Sequence, residues 1–319
     1  MPHTVHIPVL PDEVVGLLNP QPGKTYIDGT LGGGGHCEAI LRRSLQHSPE
    51  QAGNITVIGI DKDVHAVDRA EQYLKNVFSD TIGKNVRIRF VHADYRHFEE
   101  ALDMLGIGKV DGFLLDLGLS SDQLADRQRG FSFDSDGTLD LRFDTSEGVT
   151  ASELLAKLPE DEIAGLIYRY GEERCSRRIA RQIVQRRANG QPVRQARELA
   201  EIVRACVPKI WKTNKKGTRS PNIDPATRTF QALRIAVNDE LSALENTLKA
   251  LPGRMNPGGV VAVISFHSLE DRIVKHVFKQ GDYWEIITKK PVVADEKEIE
   301  RNPRSRSAKL RGARYVKTG

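Results

Sequence analysis

Acidic residues stand at the ends of several apolar segments, and one of these segments is followed by a run of four glycines. Asp28 precedes the run Gly32–Gly35, and Asp61, Asp94 and Asp116 close three further apolar segments. Glycines let the backbone turn sharply and let a ligand approach the N–H groups. A following helix directs its positive end toward a docked anionic group. The pattern indicates a binding site for a nucleotide-type ligand.

The acids narrow the choice of ligand. Four carboxylates disfavour a triphosphate without a metal, but they suit a molecule that has a ribose diol and a cationic centre. Asp61 can accept both ribose hydroxyls, Asp28 or Asp116 can face a positive charge, and Tyr95 can form a flat wall against a purine. S-adenosylmethionine combines these features. We therefore predict it as the cofactor, and we predict no metal.

Three other ligand motifs fit the sequence less well. The dinucleotide-binding pattern has three glycines, and if it starts at Gly32 its third glycine position is occupied by Cys37. NAD is therefore disfavoured as the ligand but not excluded. Gly23–Thr25 resembles the end of a phosphate-binding loop, but it precedes a strand. Asp134–Gly137 resembles the start of a calcium loop, but Phe143 stands where the closing glutamate belongs. A simple turn is the better interpretation of that segment.

The elements that must position the acids alternate between strand and helix. Apolar patterns predict strands over residues 24–28, 55–60, 86–91, 110–116 and 259–266. Helical patterns separate the first four, and weaker strands are predicted over 284–288 and 314–317. This order is typical of a doubly wound α/β domain, which binds its ligand beyond the carboxyl ends of the strands.

The alternation stops after the fourth strand. Residues 119–150 are loop-like, residues 151–207 are helical, and residues 209–221 form a basic link. A long helix then begins at Asp224-Pro225. We predict an interrupted α/β domain: residues 1–118 form its first part, residues 119–221 an inserted helical substrate-binding module, and residues 222–319 its second part with a basic tail.

Charge is segregated along the 319-residue chain. The net charge is +4, but residues 151–220 carry +8 and residues 301–319 carry +7, which leaves −11 for the remainder. Two basic regions on an acidic body indicate a polyanionic partner. Solvated helix faces and a disordered tail would give the same pattern.

Other features of the sequence indicate where in the cell the protein is located. No apolar stretch approaches the ~20 residues of a membrane span. The N-terminal residues 1–6 lack the basic-then-apolar layout of a secretory signal. The three cysteines are widely spaced and suit a reducing environment. We therefore expect a cytoplasmic protein without membrane association.

Several longer motifs are similar to those of one family, the bacterial small-subunit ribosomal RNA cytosine methyltransferases of the RsmH/MraW type. These motifs cover residues 27–36, 114–121, 129–133, 225–235, 265–272 and 304–311. The resemblance extends over nearly the whole chain. Asp224 stands where relatives often have histidine, and Thr138 where proline is common. These departures concern the substrate loops.

The resemblance implies a class I, Rossmann-like, S-adenosylmethionine-dependent methyltransferase with an inserted all-helical module. It implies methylation of the exocyclic N4 amine of a cytidine in the decoding region of 16S ribosomal RNA. The partner would be the RNA of the small ribosomal subunit, and a homodimer is left open. The family's cofactor contacts map onto Gly34, Gly35, His36, Asp61, Tyr95, Asp116 and Gln123.

The catalytic residue is unknown from the sequence. A cytosine amine needs a hydrogen-bond acceptor and a group that takes its proton, and the candidates are Asp116 and His267. Basic residues of the module and tail would hold RNA phosphates, and Phe131 and Phe133 could stack on the unstacked base or pack locally. The alternatives are a non-catalytic RNA-binding assembly factor and a DNA amine methyltransferase.

Overall fold

The chain forms two compact units. The computed structural model describes residues 7–46, 54–120, 123–124, 126–208, 224–280 and 282–316. One unit consists of residues 1–120 and 241–319, and the other of residues 121–240. The predicted basic link over 209–221 lies outside the described residues. Within the described ranges, no helix combines the length and the apolar character needed to cross a lipid bilayer.

The first unit is built on a seven-stranded sheet. Its strands in the described residues are β1 (Thr25–Asp28), β2 (Ile55–Asp61), β3 (Val86–His92), β4 (Val110–Asp116), β5 (Met255–Ser265), β6 (Trp284–Ile286) and β7 (Lys309–Tyr315). Their order is β3-β2-β1-β4-β5-β7-β6, and β7 alone runs antiparallel to its neighbours. The strand order reverses direction after β1, so the predicted doubly wound α/β class is confirmed.

Helices complete both units. The helices whose bounds lie within the described ranges are α1 (Pro11–Leu18), α2 (Gly35–Leu45), α3 (Val64–Val77), α4 (Phe98–Met104), α5 (Ala151–Lys157), α6 (Glu160–Gly171), α7 (Ser176–Ala188), α8 (Ala196–Cys206), α9 (Ala226–Asn238), α10 (Glu240–Arg254), α11 (Ser268–Lys279) and α12 (Glu296–Arg301). Short 3₁₀ helices span Tyr95–His97 and Pro303–Ser307. The helices from α5 to α9 belong to the second unit, and the others belong to the first.

Apolar side chains on both faces of the sheet form two separate cores. Tyr26 and Leu114 belong to the core on one face, whereas their chain neighbours Ile27 and Phe113 belong to the core on the other. Successive side chains of a strand point to opposite faces. Covering both faces therefore requires an almost continuous apolar run, and this explains why the strand over 110–116 could be predicted to the residue.

Residues 309–315 of the basic C-terminal region form a strand, whereas the prediction placed a basic tail there. β7 lies inside the sheet between β5 and β6. Leu310 and Ala313 are fully buried, Arg311 binds Asp271 at 2.6 Å, and Arg314 binds Glu285 at 2.8 Å. Two of the basic side chains that we expected to contact RNA thus form ion pairs within the unit.

The helix predicted from Asp224 onward is broken at Asp239. This residue has φ 51°, a left-handed conformation that aspartate tolerates better than most residues. The preceding helix α9 belongs to the helical unit, where Asn238 accepts the N–H of Phe143 and donates to the carbonyl of Leu141, each at 2.8 Å. The helical unit therefore extends to residue 240, whereas the sequence placed its end at residue 221.

The two phenylalanines proposed as RNA-stacking residues pack inside the helical unit instead. Phe131 is 4% exposed and stacks on Phe143 with the ring centres 6.0 Å apart. Phe133 meets Phe230 edge to face at 4.9 Å. Such pairs stabilise the long loop before α5. Of the two interpretations considered for these rings, the structure supports local packing.

Candidate cofactor site

Three acids lie at one edge of the sheet because their strands are neighbours. β2, β1 and β4 are adjacent and end at Asp61, Asp28 and Asp116. Gly29 donates its N–H to the carbonyl of Leu114 at 2.9 Å, which continues the pairing of β1 with β4 into the glycine loop. Residues far apart in the sequence thereby come together beyond the carboxyl ends of the strands.

The glycine loop uses left-handed backbone conformations at two positions. Gly32 has φ +50° and Gly34 has φ +83°. Gly34 is also the N-cap of α2, so the first turn of that helix begins at the end of the loop. A side chain at Gly32 would meet no heavy atom closer than 3.8 Å. Glycine is needed there for its backbone conformation, and the space beside the loop is open to a ligand.

Asp61 connects the glycine loop to the end of β2. Its Oδ2 accepts the N–H of Gly32, and its Oδ1 accepts the N–H of Asp63, both at 2.8 Å. Burial raises the pKa of Asp61 to about 6, although both N–H groups favour the charged form. A carboxylate oxygen has more than one acceptor position. Asp61 can therefore hold the loop and still accept two hydroxyl groups.

Asp28 lies beneath the loop. It is 1% exposed, and its oxygens accept from the N–H of Thr30 at 3.2 Å and from the thiol of Cys37 at 3.5 Å. Burial raises the pKa of Asp28 to about 6, and burial together with the nearby Asp28 charge raises that of Cys37. Asp28 shapes the turn from below, so a ligand has little access to it.

The side chain of His36 faces the protein interior. Its ring is 4% exposed, with Nε2 2.9 Å from the carbonyl of Val9 and Nδ1 3.7 Å from Oδ2 of Asp116. Burial lowers the pKa of His36, which favours a neutral ring. A carbonyl oxygen can only accept, so Nε2 carries the proton. What His36 can offer a ligand is its backbone N–H in the first turn of α2, where helical N–H groups have no partner within the helix.

Asp116 has an incomplete set of hydrogen bonds. Its backbone N–H donates to Oγ1 of Thr30 at 2.6 Å. Its side-chain Oδ1 is buried, and no donor among the described residues reaches it. Burial raises the pKa of Asp116 to about 7, the charge of Arg304 lowers it, and that of Glu270 raises it. A buried acceptor without a donor is unfavourable unless a ligand supplies one.

Tyr95 lies next to the glycine loop. It begins the 3₁₀ helix after β3, and it is half-buried against the core that contains Ile27 and Phe113. A side chain built on Gly29 would come within 3.2 Å of Cβ of Tyr95. The preceding Asp94 caps the turn by accepting the N–H of Arg96 at 3.0 Å. The ring is held at the strand edge, where it can form one wall of the site.

His267 is part of a helix cap. It is the N-cap of α11, where Nδ1 accepts the N–H of Glu270 at 3.4 Å and Nε2 lies 3.1 Å from Oε1 of Glu270. Glu270 in turn accepts the N–H groups of Phe266 at 2.8 Å and of His267 at 3.2 Å. The capping box gives His267 a structural role that needs no catalysis.

Gln123 belongs to the other compact unit. It is buried there, at 8% exposure. Its assignment as a cofactor contact stays a prediction, whereas the other six predicted positions all lie in the sheet unit.

Comparisons with known proteins identify the family of this chain. The family model for the MraW methylase family matches residues 3–316. The chain belongs to the MraW methylase family. Its similarity to curated relatives is high along the whole length. Proteins named ribosomal RNA small subunit methyltransferase H are 49% identical in Rhodopirellula baltica (98% of this chain, 92% of the relative), 47% in Sorangium cellulosum (98% and 91%) and 47% in Deinococcus radiodurans (96% and 88%).

Likeness to solved structures is weaker. A putative rRNA-methylase from Clostridium thermocellum aligns over 97% of this chain and 94% of its own, with a TM-score of 0.44 and 9% identity. The class I methyltransferase fold of this MraW-family chain is therefore established by its own strand order and its family rather than by that alignment.

The residues of the site fit S-adenosylmethionine. Asp61 keeps acceptor positions for a ribose diol, and the open space at Gly32 lets a ligand approach the loop. The unpartnered Oδ1 of Asp116 offers an acceptor in a buried position. In this MraW-family protein, Asp61 suits the hydroxyl groups of such a ligand, and the acceptor on Asp116 suits a positively charged or hydrogen-donating group.

Sequence reasoning missed three supporting contacts. Thr30 orients the Asp116 backbone through its hydroxyl, and Arg304 places a positive charge near the Asp116 carboxyl. Glu298 accepts the N–H of Leu10 at 2.8 Å and so fixes the N-terminal segment that His36 also binds. Thr30 and Arg304 stand within the family motifs, so the motifs could have indicated that these two residues matter for the site. The contact between Glu298 and Leu10 has no local signal because the residues are distant in the chain.

Proposed function

We propose that this chain transfers a methyl group from S-adenosylmethionine to the N4 amine of a cytidine in the decoding region of 16S ribosomal RNA. The observation that carries the proposal is the family match over residues 3–316, together with the buried, unpartnered Oδ1 of Asp116 beside the glycine loop. The names of the relatives specify small-subunit ribosomal RNA as the substrate of those proteins. The single cytidine and its N4 position follow from the resemblance of the motifs.

Different residues of the site would bind different parts of the cofactor. Asp61 would bind the ribose hydroxyls, Tyr95 would pack on the adenine, and the N–H groups at Gly34, Gly35 and His36 would face the anionic carboxylate. When bound, S-adenosylmethionine supplies a methyl group that is activated by a positively charged sulfur. Gln123 is proposed as a further cofactor contact. These assignments use side chains whose free acceptor and donor positions are compatible with them.

Asp116 is the better candidate for the acceptor of the amine proton. The lone pair of a cytosine amine is delocalised into the ring, so a hydrogen-bond acceptor must help the nitrogen to pyramidalise. Asp116 has a free oxygen and a pKa raised to about 7, which is suited to taking up a proton near neutral pH. His267 caps α11 through Nδ1, and its buried Nε2 also has no hydrogen-bond partner among the described residues. Asp116 is preferred because it lies beside the glycine loop, where its N–H binds Thr30, whereas His267 lies at the start of α11. Asp116 could instead contact the cofactor, and the two roles have different pH dependences.

The natural setting of the reaction follows from the substrate. Methylation of small-subunit RNA would take place in the bacterial cytoplasm, with the ribosomal RNA as the partner. The helical unit, residues 121–240, would act as the substrate-binding module. A homodimer stays a prediction.

The decisive experiment uses small ribosomal subunits from cells that lack this protein. Incubation with purified protein and S-adenosylmethionine should produce N4-methylcytidine in 16S RNA, detected by mass spectrometry of its nucleosides. Duplex DNA serves as the competing substrate. Methylation of DNA alone would identify a DNA amine methyltransferase, and failure to bind S-adenosylmethionine in a calorimetric titration would identify a non-catalytic assembly factor.

A further inference from the structure

Many arginines of the helical unit are engaged in holding that unit together. Arg187 donates to three carbonyl groups at the end of α5, those of Leu155, Ala156 and Leu158. Arg186 binds Glu198 at 3.0 Å, and Arg204 binds Asp224 at 2.6 Å. These contacts account for part of the positive charge of this region without any external partner.

A second set of arginines is arranged differently. Arg174, Arg177, Arg178 and Arg181 are all exposed, and their spacing places them on one side of α7 and the turn before it. Arg181 has one acidic neighbour, Glu160, at 3.6 Å in an exposed pair. For the other three, no acidic side chain in the described part of the chain lies within ion-pair distance.

This arrangement is electrostatically unfavourable in the free protein. Arg177 and Arg178 lie in the first turn of α7, which contains no acidic residue. Positive charges are disfavoured at the positive end of a helix dipole. Like charges three and four residues apart also repel. The buried Ile179 and Ile183 hold the helix in place, so packing maintains a cluster of positive charge that the local electrostatics oppose.

An exposed aromatic ring lies at the same end of this helix pair. Tyr168, in the last turn of α6, is 61% exposed. Only residues 172–175 separate α6 from α7, and Glu160 at the start of α6 contacts Arg181 within α7 at 3.6 Å. The end of α6 therefore lies beside the start of α7. Tyr168 thus precedes the exposed arginines by a few residues in the chain, and exposed aromatic rings combined with positive charge are typical of surfaces that bind unpaired nucleotides.

Two acids stand between α6 and Arg174, and one of them is buried. Glu173 is 5% exposed and turns inward, where it accepts the N–H of Cys175 at 2.7 Å. Glu172 is exposed and ends α6 in a left-handed conformation. Of these two acids only Glu172 is exposed, whereas Arg174, Arg177 and Arg178 are all exposed.

We propose that Tyr168, Arg174, Arg177, Arg178 and Arg181, here called the α6–α7 corner, bind a single-stranded segment of the substrate RNA. The guanidinium groups contact successive phosphates, and the ring of Tyr168 stacks on one unpaired base. This inference rests on the proposed function, because it assigns the RNA substrate to a particular surface. Charge complementarity favours a polyanion, and the exposed ring favours an unpaired strand over a duplex.

The test compares two charge-matched variants. Arg174→Gln/Arg177→Gln/Arg178→Gln removes three exposed charges from the corner. Lys84→Gln/Arg87→Gln/Arg89→Gln removes three exposed charges at and just before β3 in the sheet unit. The binding of a single-stranded RNA oligonucleotide with the decoding-region sequence is measured by fluorescence anisotropy over a series of salt concentrations. Circular dichroism melting confirms that both variants are folded.

The corner variant should bind the RNA more weakly, and its salt dependence should be shallower. Each lost phosphate contact lowers the slope of log affinity against log salt by about 0.7 for a single strand, so the slope should fall by about 2. The β3 variant should keep the slope of the unmodified protein. Equal slopes and affinities for the corner variant and the unmodified protein would overturn the proposal, as would an equal loss in the β3 variant.

Tyr168 provides an independent readout. Tyr168→Ala should weaken RNA binding about 5- to 100-fold without changing the salt slope, whereas Tyr168→Phe should bind normally because it keeps the flat ring. Competition by duplex DNA as effective as that by the oligonucleotide would contradict the preference for a single strand. If the unmodified protein does not methylate small subunits, the proposed function fails while the binding results still test the corner. If it methylates them and the corner variant binds and methylates normally, the corner alone is refuted.

Discussion

Gly32 donates its backbone N–H to Oδ2 of Asp61 at 2.8 Å, so the glycine loop after β1 is tied directly to the acid that ends β2. The other oxygen of the same carboxylate accepts the N–H of Asp63 at 2.8 Å. One side chain therefore fixes two loops at the edge of the sheet while retaining acceptor positions for a ligand. The position of the proposed ribose contact and the shape of the glycine loop depend on the same residue.

Replacement of Asp61 should separate cofactor binding from folding. Asp61→Ala removes the acceptor of both N–H groups and of the ribose hydroxyls, and each hydrogen bond to a charged group contributes about 1.5–3 kcal/mol. We expect S-adenosylmethionine affinity to fall by at least about 100-fold in calorimetric titrations, with a folded protein by circular dichroism. Asp68→Ala removes an exposed carboxylate on α3 and serves as the control. Unchanged affinity of Asp61→Ala would refute the assignment.

The role of Asp116 can be determined from the pH dependence of methyl transfer. If its carboxylate takes the proton of the amine, the single-turnover rate should rise with pH until the group is ionised, at about 7. Asp116→Asn should be slower by a factor of about 10²–10⁴ and should lose that rise. A variant that keeps both the rate and the pH profile would exclude Asp116 as the acceptor. Weaker cofactor binding with an unchanged profile would indicate a binding role.

The same substitution should change stability in a pH-dependent way. Burial raises the pKa of Asp116 from 3.8 to about 7, so the folded state binds this proton more tightly than the unfolded state does. The stability contributed by this group is therefore present below about pH 4 and declines as the pH rises to 7. Asp116→Asn should exceed the unmodified protein in free energy of unfolding at pH 8, by on the order of a few kcal/mol, and the difference should shrink at pH 5. Urea unfolding at both pH values measures it.

The ring of His36 should stabilise the fold and should not contact the cofactor. Its Nε2 binds the carbonyl of Val9, so His36→Ala should lower the free energy of unfolding by roughly 2–4 kcal/mol through the lost hydrogen bond and the cavity. His36→Gln retains an N–H donor and should bind S-adenosylmethionine within a few-fold of normal. Loss of cofactor binding in a stable His36→Gln variant would show that the ring itself contacts the ligand.

His267 offers a comparison between capping and catalysis. Asparagine is a favourable N-cap residue, so His267→Asn should keep the melting temperature and the methyl-transfer rate if the side chain serves only to cap α11. His267→Ala should destabilise the protein by about 1 kcal/mol because the cap is lost. A stable His267→Asn variant with a greatly reduced rate would instead identify His267 as the proton acceptor.

The sequence by itself determined the elements and the type of site. The apolar run over residues 110–116 could only be a strand covered on both faces, and the glycines before α2 indicated a ligand loop. Both signals are local, because hydrophobic period and backbone freedom are properties of short segments. The acids at the ends of the strands followed from the same pattern. Their convergence could be predicted because parallel strands end at one edge of the sheet.

The tertiary structure decided which partner each polar side chain has. It turned His36 toward Val9, engaged His267 in a cap with Glu270, and placed β7 inside the sheet where a basic tail was expected. It also separated the arginines that hold the helical unit together from those that remain exposed. The local sequence around a charged or aromatic side chain is the same whether that side chain binds within the fold or binds a ligand. Its partner depends on which distant segments pack beside it, and only the folded chain brings those segments together.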